Sequence, residues 1–221
     1  MEGTAAGNMD ETIMGVQRRR VVAAAALLPF AGWCRIMAAE TTQTNTAESG
    51  RLVLSDYRGD EPVVIEGGGW RGFSDRVMGG ISNARLGQDT VAGKNCIRLI
   101  GNVTRESNGG FIQMAMYFGR NDAELDAAAY SGIELLVYGN DEDYNCHLRT
   151  ADCGWYDESY RATFFAKPEW QTLRVPWDAF VPNGLSAPLD ASRINRIAIL
   201  GWMREFEADI SLAEIALYRS E

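Results

Sequence analysis

A single histidine, His147, limits the acid–base chemistry open to this 221-residue chain. A serine or cysteine nucleophile needs a base of suitable pKa beside it, so a Ser-His-Asp or Cys-His arrangement must recruit His147. His147 lies in "YNCHLRT", a run that reads as a strand. Its neighbour Cys146 therefore points to the opposite face, which excludes a simple Cys-His pair. No G-x-S-x-G elbow presents a serine. The expectation is a half-exposed strand histidine. Asp141, Glu142 and Asp143 form a tight carboxylate group of the kind that does acid–base or glycosidase work. They follow Gly139-Asn140 between two strand-like runs, so a solvated hairpin turn explains them. Their spacing lacks the alternating oxygen ligands of a calcium loop, and no CxxC pair marks a zinc or redox site. We expect no catalytic residue, no metal and no cofactor.

Two glycine stretches carry the sharper signal. "SDRVMGGIS" (74–82) and "RESNGGFIQM" (105–114) each place a charged or polar cluster before Gly-Gly and a strand after it. Asn-Gly-Gly permits positive φ and a tight turn at low cost. A third stretch, "CGWYDESY" (153–160), mixes acids with aromatics in a loop-like setting. Trp155 and Tyr156 in it are suited to stacking on a sugar ring if exposed and coplanar, and to ordinary packing if buried.

These residues need a scaffold, and the pattern around them is β. Strand-like runs fall near 52–54, 62–66, 81–86, 95–103, 111–118, 132–138, 144–150, 160–166, 171–175, 194–200 and 209–218. Several alternate with period two. The apolar phase slips between Leu212 and Ile215, which predicts a bulge. Residues 121–130 and 176–180 read as short helical segments. Many short strands separated by turn signals predict an all-β, antiparallel β-sandwich or barrel with one or two short helices.

Composition agrees with a globular domain: 46% hydrophobic, 23% charged, with a net charge of −9. No basic stripe exists to neutralise phosphates, so a nucleic-acid partner is not expected. No apolar run reaches the ~20 residues of a membrane span. Arg18-Arg19-Arg20 precedes an apolar run, Val21 to Trp33, and Ala38-Ala39 supplies small residues near a cleavage point. The pattern resembles a twin-arginine export signal over residues 1–39 and predicts a periplasmic or secreted protein. A mitochondrial transit peptide is the alternative, with Glu2, Asp10 and Glu11 against it. Residues 40–50, "ETTQTNTAESG", read as a disordered linker, which leaves 51–221 as the folded domain. That domain holds Cys96, Cys146 and Cys153. The odd count favours three half-buried free thiols, and a small disulfide loop closed by Cys146 and Cys153 in an oxidising compartment is the alternative.

Five stretches together resemble the complex I intermediate-associated protein 30 family. They are Trp70 with "SDRVMGGIS", then "ESNGGF" (106–111), the pair "YSGIELLVYG" and "YNCHLRT" ending at Arg149, "WQTLRVPWDAFVP", and "SRINRIAIL". The resemblance covers roughly residues 54–219, and its first two stretches are the specific ones. It implies a galactose-binding-like jelly-roll sandwich. It also implies a non-catalytic assembly factor that recognises a protein partner. A twin-arginine signal departs from the mitochondrial members, because it leads away from the compartment where the matrix arm of complex I is built. A carbohydrate-binding module is the alternative function.

On this reading Met78-Gly79-Gly80 and Asn108-Gly109-Gly110 lie side by side on adjacent strands. Asp75, Arg76 and Arg149 form a polar cluster beside them, and Ser82 completes the motif. The competing expectation is that Asp75 and Arg76 only brace the turn through hydrogen bonds to the backbone.

Overall fold

Alternation along "EDYNCHLRT" sorts its side chains onto two faces. Tyr144, Cys146 and Leu148 are fully buried between two layers, while Asp143, Asn145, His147 and Arg149 point the other way. The same sorting repeats along most strands, and the outcome is a two-layer sandwich. A computed structural model describes residues 50–57, 63–64 and 68–220. The export-signal and linker readings concern residues 1–50, of which only Gly50 lies among the described residues.

The strands, in chain order, are β1 (Arg51–Asp56), β2 (Val63–Val64), β3 (Gly69–Ser74), β4 (Asn83–Val91), β5 (Lys94–Val103), β6 (Phe111–Tyr117) and β7 (Gly132–Tyr138). There follow β8 (Glu142–Thr150), β9 (Ser159–Ala166), β10 (Gln171–Pro176), β11 (Val181–Asn183), β12 (Ile194–Trp202) and β13 (Phe206–Tyr218). Sheet A runs β10-β7-β13-β1-β2, with β5 also on β13 and β4 on β5. Sheet B runs β11-β9-β8-β12-β6-β3. Neighbouring strands are antiparallel throughout. The expectation of an all-β, antiparallel sandwich therefore describes the molecule. The register of β13 on β7 shifts between Leu212 and Glu214, where the apolar phase slips.

Inner-face residues of both sheets form one core, with Leu99, Met114, Leu135 and Ile197 at its centre. Tyr144 is buried there with its hydroxyl satisfied. It donates to Asn140 Oδ1 (2.6 Å) and accepts from the Asp209 N–H (2.9 Å). The outer face of sheet A is laced with ion pairs. Glu134 sits between Arg51 and Arg174, each at 2.8 Å, and Arg98 sits between Asp89 (2.8 Å) and Asp209 (2.6 Å).

Two points of the sequence reading are corrected. Residues 121–130 make no helix. Asn121 and Asp122 have φ of 57° and 54°, outside the right-handed helical region. Leu125 instead exchanges backbone hydrogen bonds with Ile194 (2.7 and 3.2 Å), so tertiary pairing overrides local propensity. The 176–180 segment keeps one 3-10 turn, Trp177–Ala179. Strand β3 was not anticipated, because its two glycines dilute the alternation. Of the two cysteine readings, the free-thiol one describes the molecule, with Cys96 and Cys146 buried and Cys153 half-buried. Cys146 points into the core four residues before the end of β8, roughly 13 Å along the strand, and Cys153 lies in the turn beyond it. A disulfide requires Cα atoms within about 7 Å.

Alkylation should report this arrangement. Half-buried Cys153 is expected to react in the native protein, while Cys96 and Cys146 react only after unfolding without a reductant. A Cys146–Cys153 pair that stays unreactive in denaturant until reduced would contradict it.

Candidate functional site

The "SDRVMGGIS" segment forms a 3-10 turn, Asp75–Met78, capped by the Ser74 side chain and closed by Gly79 in the left-handed region (φ 91°). Its centre is Asp75, a fully buried carboxylate. Asp75 Oδ1 accepts from the Ser82 N–H (2.9 Å). Oδ2 accepts from the Ser82 hydroxyl (2.5 Å), the Gly110 N–H (2.6 Å) and the Phe111 N–H (3.3 Å). The Ser82 hydroxyl in turn accepts from the Thr104 N–H (3.0 Å). One side chain thus ties the start of β4 to the start of β6.

The glycines are what let it in. A Cβ at Gly80 would overlap the Asp75 carboxyl carbon, and one at Gly109 would sit 2.5 Å from Oδ2. The two glycine stretches are neighbours, as anticipated, but they lie in the turns leading into β4 and β6 rather than on the strands. Asn108 takes φ 60°, beside the turn where the Gly109 N–H donates to the Glu106 carbonyl (2.9 Å). Arg76 Nε donates to the Ser82 carbonyl (3.1 Å). Burial would raise the Asp75 pKa, but the Ser82 hydroxyl and the backbone N–H groups outweigh it and hold the group below the ordinary carboxylate range.

Arg149 does not join this cluster, which corrects the expectation. It lies on the outer face of β8 and organises another loop. Nη1 donates to the carbonyls of Trp155 and Glu158, both at 2.7 Å, and Nη2 donates to that of Cys153 (3.1 Å). Glu158 Oε2 accepts from the N–H groups of Gly154 (2.6 Å) and Trp155 (2.9 Å). The "CGWYDESY" loop is therefore pinned from both ends, with Trp155 70% and Tyr156 76% exposed. Among the described residues neither ring pairs with another ring or with a cation.

Between these two fixed corners lies a hollow of about 590 Å³ over the outer face of sheet B. Val77 and Met78 stand on one wall, 70% and 51% exposed, and Tyr156, Asp157 and Glu158 form the other. A second apolar cluster, separate from the core, makes part of the floor: Ala115, Ala198 and Leu200, with Phe73, Phe111 and Trp202 against them. Arg149, Arg161, Arg196 and His147 complete it.

His147 differs from expectation, being only 8% exposed. It packs edge-on against Trp202, with ring centroids 5.1 Å apart, and its Nε2 is buried without a partner. Burial, with the positive charges of Arg161 and Arg196 added, lowers the imidazole pKa to about 3. Cys146 faces the core on the opposite side, where burial pushes its thiol pKa up to about 12. Sequence reasoning missed the floor residues Trp202, Arg161 and Arg196. The available signal was that "FIQMAMY" and "INRIAILGW" are apolar at successive positions rather than alternate ones, the mark of strands covered on both faces.

Two outcomes follow from these environments. Asp75→Ala strands four donors and is expected to cost about 3 kcal/mol, or about 6–12 °C in Tm for a domain of this size. Asp75→Asn should be nearly as damaging, because its NH2 would face N–H donors. A loss under about 2 °C would contradict the bracing role. His147 binds its proton near pH 6.5 when unfolded but only near 3 when folded, so its contribution to stability falls as pH drops from 6.5 towards 3. His147→Gln should therefore lose less stability between pH 7 and 4.5 than the parent, by about 2 kcal/mol. An equal loss of unfolding free energy in parent and variant, from denaturant titrations at the two pH values, would contradict the buried neutral imidazole.

Comparison with solved structures supports the fold. The family 11 carbohydrate-binding module of the cellulosomal cellulase Lic26A-Cel5E of Clostridium thermocellum superposes with a TM-score of 0.61 at 14% identity, covering 77% of this chain and 95% of that one. The family 30 carbohydrate-binding module of the cellulosomal cellulase Cel9D-Cel44B of Clostridium thermocellum gives 0.54 at 15% identity, covering 77% and 98%. At such identities the likeness is one of fold. No curated protein sequence matches the chain. The family model for complex I intermediate-associated protein 30 matches residues 58–212, well over half of the sequence. The chain belongs to the complex I intermediate-associated protein 30 family.

Proposed function

We propose that this protein is a non-catalytic binding module that acts as an assembly factor does, by holding a protein partner in the hollow on sheet B. One observation carries the reading: two rigidly braced corners present exposed apolar side chains, Val77 and Met78 on one side and Tyr156 on the other, across a preformed cavity. Apolar groups held out in this way are typical of association surfaces, where central aromatic and apolar anchors supply most of the binding energy. The floor between them offers no nucleophile beside a base, since His147 is neutral with its Nε2 buried and Cys146 faces the core. The family's name supports an assembly role. The twin-arginine-like residues Arg18–Arg20 support work in the periplasm.

A carbohydrate-binding module is the second reading. The exposed, unstacked rings of Trp155 and Tyr156 favour it, because free aromatic faces suit sugar rings.

Affinity capture from the native periplasm, run in parallel with a glycan array, separates the two. A protein retained by the parent, lost with Val77→Ser plus Tyr156→Ala, and kept by an Arg85→Gln control is the expected result. A glycan hit abolished by Trp155→Ala, with protein capture indifferent to the paired variant, would overturn the assembly reading.

A further inference from the structure

The two outer faces of this sandwich treat arginine differently. On sheet A, Arg51, Arg98 and Arg174 each meet a carboxylate. On the floor of the sheet B hollow, Arg149, Arg161 and Arg196 form no ion pair among the described residues, and no strand residue lining the hollow is acidic. Arg149 and Arg196 stand directly opposite each other on β8 and β12. Like charges so placed repel; Asp122 and Glu158, from the neighbouring loops, offset part of this at Arg149 without forming an ion pair, and neither is a residue of the sheet. The chain as a whole carries a net charge of −9, so a run of unpaired cations on one floor is not a reflection of its composition.

The guanidinium groups are also held in position. Arg161 lies over the Trp202 ring at 4.6 Å. Arg196 and Arg71 lie at 5.6 and 4.7 Å from the Tyr117 ring. Stacking fixes each plane while leaving its N–H edge able to donate. Arg149 spends its donors on the Trp155, Glu158 and Cys153 carbonyls. Arg196 differs: Nη1 donates to the Tyr117 hydroxyl (3.1 Å), and Nε and Nη2 have no acceptor among the described residues. Of the two acids on the wall, Glu158 is turned onto loop N–H groups, and Asp157 lies nearer Arg161. The same stacking covers the floor rings that a neutral sugar would use.

We propose that the hollow receives an acidic segment of the partner protein, with a carboxylate on the open N–H edge of Arg196 and flanking apolar side chains on Val77, Met78 and Tyr156. This deepens the assembly reading and rests on it. A planar carboxylate matches a guanidinium fork in two parallel bonds, and water exclusion by apolar rims strengthens them.

The test is a random-peptide display selection on the full chain, followed by fluorescence anisotropy with the enriched peptides. Enriched sequences should carry Asp or Glu beside aliphatic or aromatic residues. Replacing that acid by its amide should weaken binding at least about tenfold, as should raising NaCl well above physiological strength. Arg196→Gln should cause a similar loss with Tm unchanged within about 2 °C, Arg196→Lys should recover part of it, and Arg85→Gln should bind as the parent does. Enriched peptides without acids, yet lost with Val77→Ser plus Tyr156→Ala, would overturn the acidic segment and leave the protein-partner reading standing. Acidic peptides indifferent to Arg196→Gln would overturn the site. Failure to enrich any peptide, whether or not polygalacturonate or barley β-glucan binds, would overturn both readings.

Discussion

A carboxylate removed from water has to be met by donors, and Asp75 is met by four: the amide and hydroxyl of Ser82 and the amides of Gly110 and Phe111. That requirement shapes a whole corner of the molecule. It pulls the turn before β4 against the turn before β6, although the two lie about 30 residues apart in the chain. It demands glycine at 80 and 109, where a methyl group would strike the carboxylate. It also fixes what stands beside it, since Val77 and Met78 ride on the same 3-10 turn and Phe111 follows the bonded Gly110.

The opposite corner is built by the same logic with the charges reversed. Arg149 is half-buried and satisfies itself on three backbone carbonyls of the 153–158 loop, while Glu158 satisfies two of that loop's amides. Loops held by side-chain to backbone bonds lose less entropy when a partner arrives, which favours binding by a preformed surface. The sheet between the corners then needs no further specialisation of its backbone. It needs only outward residues of the right kind, and β6 and β12 supply an apolar patch where the outer face of sheet A supplies ion pairs.

The sandwich was legible in the sequence because burial on one face writes itself as alternation, and most strands obey it. Even the β13 bulge shows as a slip of phase at Leu212. The binding face was much less legible. Period-two reading assumes that an outward position meets water, yet Ala198, Leu200 and Trp202 point outward and are covered by one another. His147 was misjudged for the same reason, since its burial comes from Trp202 on a neighbouring strand. The glycine stretches were recognised as important, but their cause, a single buried carboxylate between them, depends on contacts across the fold. Arg149 was grouped with Asp75 by motif, whereas strand register places it beside Arg196. The failed helix at 121–130 has a similar origin, because Leu125 finds its backbone partner at Ile194.

Amide hydrogen exchange at Ser82 and Gly110 tests the central claim most directly. Both amides lie in turns, where exchange is ordinarily fast. If the Asp75 carboxylate binds them in solution, they should exchange as slowly as the central amides of β6 and β8, through opening of the whole domain. Exchange at the rate of the exposed 184–189 loop would show that the corner is not tied, and the wall of the hollow would lose its foundation.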